Sequence, residues 1–70
     1  MKYTTLYQKL GKRIKELRRK KGMTQEELAA KAGLHRAYMW DVEKGRNISV
    51  KTAYKIAKAL EVDLGDVFSF

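Results

Sequence analysis

Residues 24–44 read Thr24-Gln-Glu-Glu-Leu-Ala-Ala-Lys-Ala-Gly33-Leu-His-Arg36-Ala-Tyr-Met-Trp-Asp-Val-Glu-Lys44, and this stretch decides the fold. Thr24 followed three residues later by Glu27 is the capping-box pattern. The threonine oxygen can accept from a first-turn N–H, and the glutamate can reach back to the cap. Glu26 and Glu27 also suit the positive end of a helix dipole. Leu28, Ala29 and Ala32 then fall on one side at helical spacing, and Gly33 supplies a stop where left-handed backbone is needed. After Gly33-Leu34-His35 a second helix is predicted over Arg36–Lys44, with Tyr38, Met39 and Val42 as its inner stripe and Gly45 as its stop.

Outward from this stretch the same signals continue. Towards the N-terminus, Leu6, Leu10, Ile14 and Leu17 form an apolar stripe that predicts a helix from about Thr5 to Lys21. Gly11 interrupts it at a cost of up to about 1 kcal/mol relative to alanine, which close packing against a neighbouring helix would explain. Towards the C-terminus, Ser49 suits an N-cap and Val50, Ala53, Ile56, Ala57 and Leu60 predict a helix over 50–60. Val62-Asp63 reads as a turn, with Asp63 capping a last short helix that ends near Phe68. Strand signals are absent. The expectation is an all-α, five-helix bundle forming one domain over 1–70, with its core within 9–68.

Composition narrows the function classes. The chain has 70 residues, and a core of this size supplies no more than about 3–5 kcal/mol unaided. It has no cysteine and a single histidine, His35, which excludes disulfides and argues against a structural metal. No apolar run approaches the roughly 20 residues of a membrane span. Met1 to Thr5 leads into polar and basic residues rather than a signal-peptide core, so a cytoplasmic protein is expected. The net charge is +8, unevenly placed. Residues 1–22 hold nine Lys or Arg and only Glu16 as an acid, whereas Glu61, Asp63 and Asp66 cluster near the other end. Such polarity suits an oriented encounter with a polyanion or a solvated basic helix; charge alone does not separate them.

Pattern does. A short helix, a tight turn containing glycine and a second short helix is the helix-turn-helix layout. The major groove of B-DNA, about 12 Å wide, admits one α-helix. The second helix of the motif enters it while the first crosses the backbone, its N-terminus available to phosphate. The segment from Leu10-Gly-Lys-Arg-Ile-Lys-Glu-Leu through Met23-Thr-Gln-Glu-Glu-Leu-Ala-Ala-Lys-Ala-Gly33 resembles the Cro/repressor-type (Xre-type) helix-turn-helix family. Tyr38, Glu43, Gly45, Arg46-Asn47 and Ile56-Ala-Lys-Ala-Leu60 match it as well. Within the family, the chain's length and Arg46-Asn-Ile-Ser49 are similar to the controller proteins of restriction–modification systems.

The resemblance implies a lambda-repressor-like five-helix bundle, a homodimer joined through the C-terminal helices, a palindromic operator in double-stranded DNA, and regulation of transcription. From the residues themselves, no cofactor, small-molecule ligand or membrane is expected. Gln25 matches a phosphate contact at the start of the motif's first helix, and Arg46 and Asn47 match a loop that touches the backbone. Arg36, Ala37 and Tyr38 match the opening of the recognition helix. Arg18 and Glu43 match a structural ion pair.

The residues carry their own readings beside this. Arg36 can donate two hydrogen bonds to the guanine edge or contact phosphate. Tyr38 can pack in the core, bond a base or phosphate through its hydroxyl, or do both. Arg36, Ala37, Trp40, Asp41 and Lys44 share the outward face of their helix. Trp40 and Asp41 depart from the family. The indole can support Arg36 through a cation–π contact, touch thymine methyls, or belong to a protein–protein surface. Asp41 can accept from cytosine or pair with a neighbouring cation. His35 stands at an N-cap position that favours Ser, Thr, Asn or Asp, and is a candidate for phosphate when protonated. Thr24 and Lys44 complete the expected phosphate contacts, and Ile48 stands where the family often has proline.

Lys9, Lys12, Arg13, Lys15, Arg19, Lys20 and Lys21 encircle the first helix, so most of them form a steering field rather than contacts. Phe68 either closes the core or, with Phe70, belongs to a dimer contact. The other function class kept open is a protein-interaction module such as the antitoxin of a toxin–antitoxin pair. No paired carboxylates, nucleophile–base pair or metal constellation suggests an enzyme.

Overall fold

The computed structural model describes residues 3–70. Five helices are present in the order α1 (Tyr3–Lys20), α2 (Gln25–Ala32), α3 (Arg36–Glu43), α4 (Val50–Leu60) and α5 (Leu64–Val67). The all-helical expectation holds. α1 starts two residues before the predicted Thr5, and Lys44 is the C-cap of α3 rather than its last turn.

Local chemistry accounts for the boundaries. Thr24 Oγ1 accepts from the Glu27 N–H at 3.1 Å, and the Thr24 N–H donates to Glu27 Oε1 at 2.8 Å. These two bonds complete the capping box of α2. At the other end Gly33 adopts φ 71°, ψ 34°, and its N–H and that of Leu34 close onto the last carbonyls of the helix. An L side chain in that left-handed conformation would be strained although nothing lies within 4 Å of it. Ser49 caps α4 by accepting from the Thr52 N–H at 3.1 Å. α4 ends on Glu61 with φ 60°, the single positive-φ residue other than glycine among the described residues.

The core forms where the stripes meet. Leu10, Ile14 and Leu17 of α1, Leu28 and Ala29 of α2, Met39 and Val42 of α3, and Ile56 and Leu60 of α4 are buried together. α2 packs on both α3 and α4, and α1 packs on α3, α4 and α5. Gly11 marks the closest approach. A Cβ there would collide with the Val42 carbonyl oxygen and lie 2.9 Å from that of Glu43. The helix-weakening glycine is thus what lets α1 rest on the end of α3. The lower end is closed by Val67, which is fully buried, and not by Phe68, which is 40% exposed. This corrects one of the two sequence expectations for Phe68. Arg13 ties α5 to α1 by donating from Nε to the Asp66 carbonyl at 2.8 Å.

Candidate nucleic-acid interface

The relative placement of α2 and α3 is held by one partly buried network. Arg18 Nε donates to Glu43 Oε2 at 2.7 Å and its Nη2 donates to Oε1 at 3.1 Å. Its Nη1 donates to the Met23 carbonyl at 2.8 Å. The two side chains keep only 11% and 3% of their exposure. Gln25 joins them, donating from Nε2 to Glu43 Oε1 at 3.0 Å. A bidentate arginine–carboxylate pair has fixed geometry, so α1, the start of α2 and the end of α3 are locked together. The structure brings together the Arg18 and Glu43 that the family resemblance paired. It also gives the Gln25 amide N–H an internal partner, whereas the family resemblance implies a phosphate contact for this side chain.

The N-terminus of α2 is partly satisfied from within. The capping box uses the N–H groups of Thr24 and Glu27, so Thr24 acts first as a cap. Backbone and hydroxyl bonds from Thr24 hold the Glu27 carboxyl below the usual carboxylate range. The Glu26 carboxyl is also held low, by its own backbone N–H first and by Arg36 second.

α3 presents Arg36, Ala37, Trp40 and Lys44 to solvent, with Asp41 half-exposed beside them. Gln25, Glu26, Arg36, Ala37 and Trp40 line an open cleft between the start of α2 and this face. Arg36 Nη1 donates to Glu26 Oε2 at 3.1 Å across the motif's turn. The Trp40 indole, 51% exposed, carries the Lys44 ammonium 3.8 Å from its ring centroid. Of the three readings of Trp40, this replaces the one in which its ring supports Arg36: the ring carries Lys44 instead. Both cations lie four residues from the tryptophan, but the acid at Glu26 draws Arg36 the other way.

Arg46 lies over the Tyr38 ring at 4.9 Å and donates to Asp41 Oδ2 at 3.4 Å. Its backbone N–H also bonds the Asp41 carbonyl at 3.0 Å. Asp41 therefore has a cation partner on its own protein. Tyr38 is half-buried, packing its ring against the core while supporting Arg46. His35 takes an extended N-cap backbone and makes no side-chain capping bond. Asn47 is exposed in the loop.

Glu26 joins this face as the partner of Arg36, a role its position in the sequence does not suggest. It lies ten residues from Arg36, and no helical period links the two. The two long side chains meet across the open cleft, and no local sequence signal marks that meeting. Among the described residues no helix is long and apolar enough to cross a membrane, and no group of three or more acidic, His or Cys residues could hold a metal.

Comparison with known proteins agrees with this geometry. The helix-turn-helix family model HTH_3 matches residues 14–67. The chain belongs to the helix-turn-helix family. It is 49% identical over 59 residues to an uncharacterized HTH-type transcriptional regulator of Archaeoglobus fulgidus, covering 83% of this chain and 84% of that protein. It is 42% identical over 62 residues to the control protein C.BamHI of Bacillus amyloliquefaciens, covering 86% and 76%. Among solved structures, the restriction–modification controller protein C.AhdI of Aeromonas hydrophila superposes with a TM-score of 0.86 at 43% identity, covering 89% and 96%.

Proposed function

We propose that this helix-turn-helix protein acts as a two-fold dimer on a palindromic operator, in the compartment that holds its DNA. The coarser statement rests on its family and on the regulators it resembles: it is a DNA-binding regulator of transcription. The observation that carries the finer one is the outward face of α3. Arg36, Ala37 and Trp40 stand clear of the core beside the start of α2, while the Arg18–Glu43–Gln25 network holds that face rigidly. A helix so presented fits the major groove, with Arg36 placed for a guanine edge and Trp40 for thymine methyls or the edge of the stack. Tyr38 and Asp41 flank these groups. Thr24, Gln25, His35, Lys44, Arg46 and Asn47 surround the face where phosphates would pass. Dimerisation is supported by an apolar groove lined by Leu6, Ile48, Val50 and Phe68, of which Val50 is 68% exposed.

Selection of bound duplexes from a randomised pool tests this reading. The expected outcome is a palindrome whose half-sites lie about one helical turn apart. Arg36→Ala is expected to cost about 1–3 kcal/mol and to relax preference at one base pair of each half-site. A pool that shows no enrichment over random DNA would sink it.

A further inference from the structure

Each cation on the α3 face and the loop after it has an intramolecular partner. Arg36 is held by Glu26, Arg46 by Asp41 and Tyr38, and Lys44 by the Trp40 ring. The strongly basic surface of this protein lies elsewhere, on α1. A reading face charged only with unpaired cations would grip any phosphate, whatever the sequence.

We propose that Glu26 is a specificity-determining residue that acts through Arg36, holding its guanidinium away from phosphates unless a guanine edge is there to take it. The inference rests on the reading above in which Arg36 meets a base. The geometry suits such a filter. Glu26 engages a single nitrogen, Nη1, at 3.1 Å, and both side chains are well exposed at 69% and 61%. The N–H groups on Nε and Nη2 remain available for O6 and N7 of guanine while the carboxylate keeps its hold. Arg36 can therefore read guanine without giving up Glu26. Bonding a phosphate instead means leaving Glu26, or bringing two anions to one guanidinium. The carboxylate thus leaves the operator complex nearly unchanged and penalises the off-target complex, which is specificity by a repulsive element. The Glu26 carboxyl is held below the ordinary range, so it stays charged throughout the working range of such a protein.

The test measures affinity for the selected operator and for a scrambled duplex of equal length, across a range of salt. It uses the full chain, Glu26→Gln, Arg36→Ala and the double variant. Glutamine keeps the size and a hydrogen bond while removing the charge. Glu26→Gln is expected to bind the scrambled duplex roughly three- to tenfold tighter at low salt, with a salt slope steeper by about one counterion. Operator affinity should change less than twofold, so the operator-to-scrambled ratio falls. In the Arg36→Ala background the same substitution should move both duplexes together and leave the ratio unchanged. The inference is overturned if Glu26→Gln strengthens both duplexes equally, or neither, while Arg36→Ala still lowers the operator-to-scrambled ratio. If Arg36→Ala leaves the ratio intact, the reading of Arg36 itself fails.

Discussion

Arg18 uses all three of its guanidinium nitrogens, two on Glu43 and one on the Met23 carbonyl. Removing one member of a buried ion pair leaves the other charged and unpaired, which costs about 3–5 kcal/mol. That equals what a core of this size supplies, about 3–5 kcal/mol. Arg18→Ala should therefore sit near its unfolding midpoint at 25 °C, with about half of the helical signal lost, read by far-UV circular dichroism. Replacing both partners with apolar residues, Arg18→Met with Glu43→Leu, should recover most of the helical signal. A single variant as stable in urea as the parent would show that the pair is not the lock described above. The residue scale also shows where sequence reading stops. Arg18 and Glu43 were paired by resemblance alone, since spacing does not connect α1 to α3, and the share taken by Gln25 was not legible at all.

At the scale of the element, the capping box of α2 gives a pH signature. Bonds from Thr24 lower the Glu27 carboxyl in the folded chain. A lowered folded pKa means stability that is fully present above the unfolded value and is lost as pH falls through the folded one. The parent should therefore lose stability below about pH 4.5, the ordinary value for this group. Glu27→Gln should flatten that loss, measured as midpoint temperature against pH, and an unchanged slope would rule the cap out as its source. Gly11 tests the packing of two elements. Alanine there gains up to about 1 kcal/mol of helix propensity. Its methyl would meet backbone carbonyls of α3 that cannot turn aside. Overpacking of this kind costs about 1–3 kcal/mol, so Gly11→Ala should lower the melting temperature. A rise would mean that α1 can slide on α3. A glycine inside the apolar stripe of α1 points to a close contact, but only the crossing of the helices shows that α3 is the partner.

The whole molecule carries +8, and its densest run of basic residues lies on α1, with further exposed lysines at Lys31 on α2 and at Lys51, Lys55 and Lys58 on α4. Arg19 and Lys20 are exposed there, away from the self-paired face of α3. Replacing both with glutamine should slow association with operator DNA at low salt. The difference should shrink as salt rises, and base preference should stay as it was. Stopped-flow measurements at two ionic strengths check this; a changed base preference would place these residues in the interface. The apolar groove beside Phe68 makes a separate prediction. Phe68→Glu should shift sedimentation towards the monomer and weaken operator binding without lowering the melting temperature of the monomer, because Val67 and not Phe68 closes the core.

The sequence by itself determined the five helices, their caps and the stripes that meet in the core. Those properties are local: a capping side chain, a left-handed stop or an i, i+4 repeat acts within one or two turns of chain. It also determined the helix-turn-helix, because the motif is two such helices and the turn between them. Tertiary structure decided what the motif's surface does. Arg36 turns to Glu26, Lys44 rather than Arg36 covers Trp40, and Arg46 settles between Asp41 and Tyr38. Each of these choices is a competition between partners, and distance along the chain does not pick the winner: Arg36 takes Glu26, ten residues away, over Trp40, four away. The crossing of α2 over α3 and the path of the following loop settle it, and neither is written in the spacing of residues.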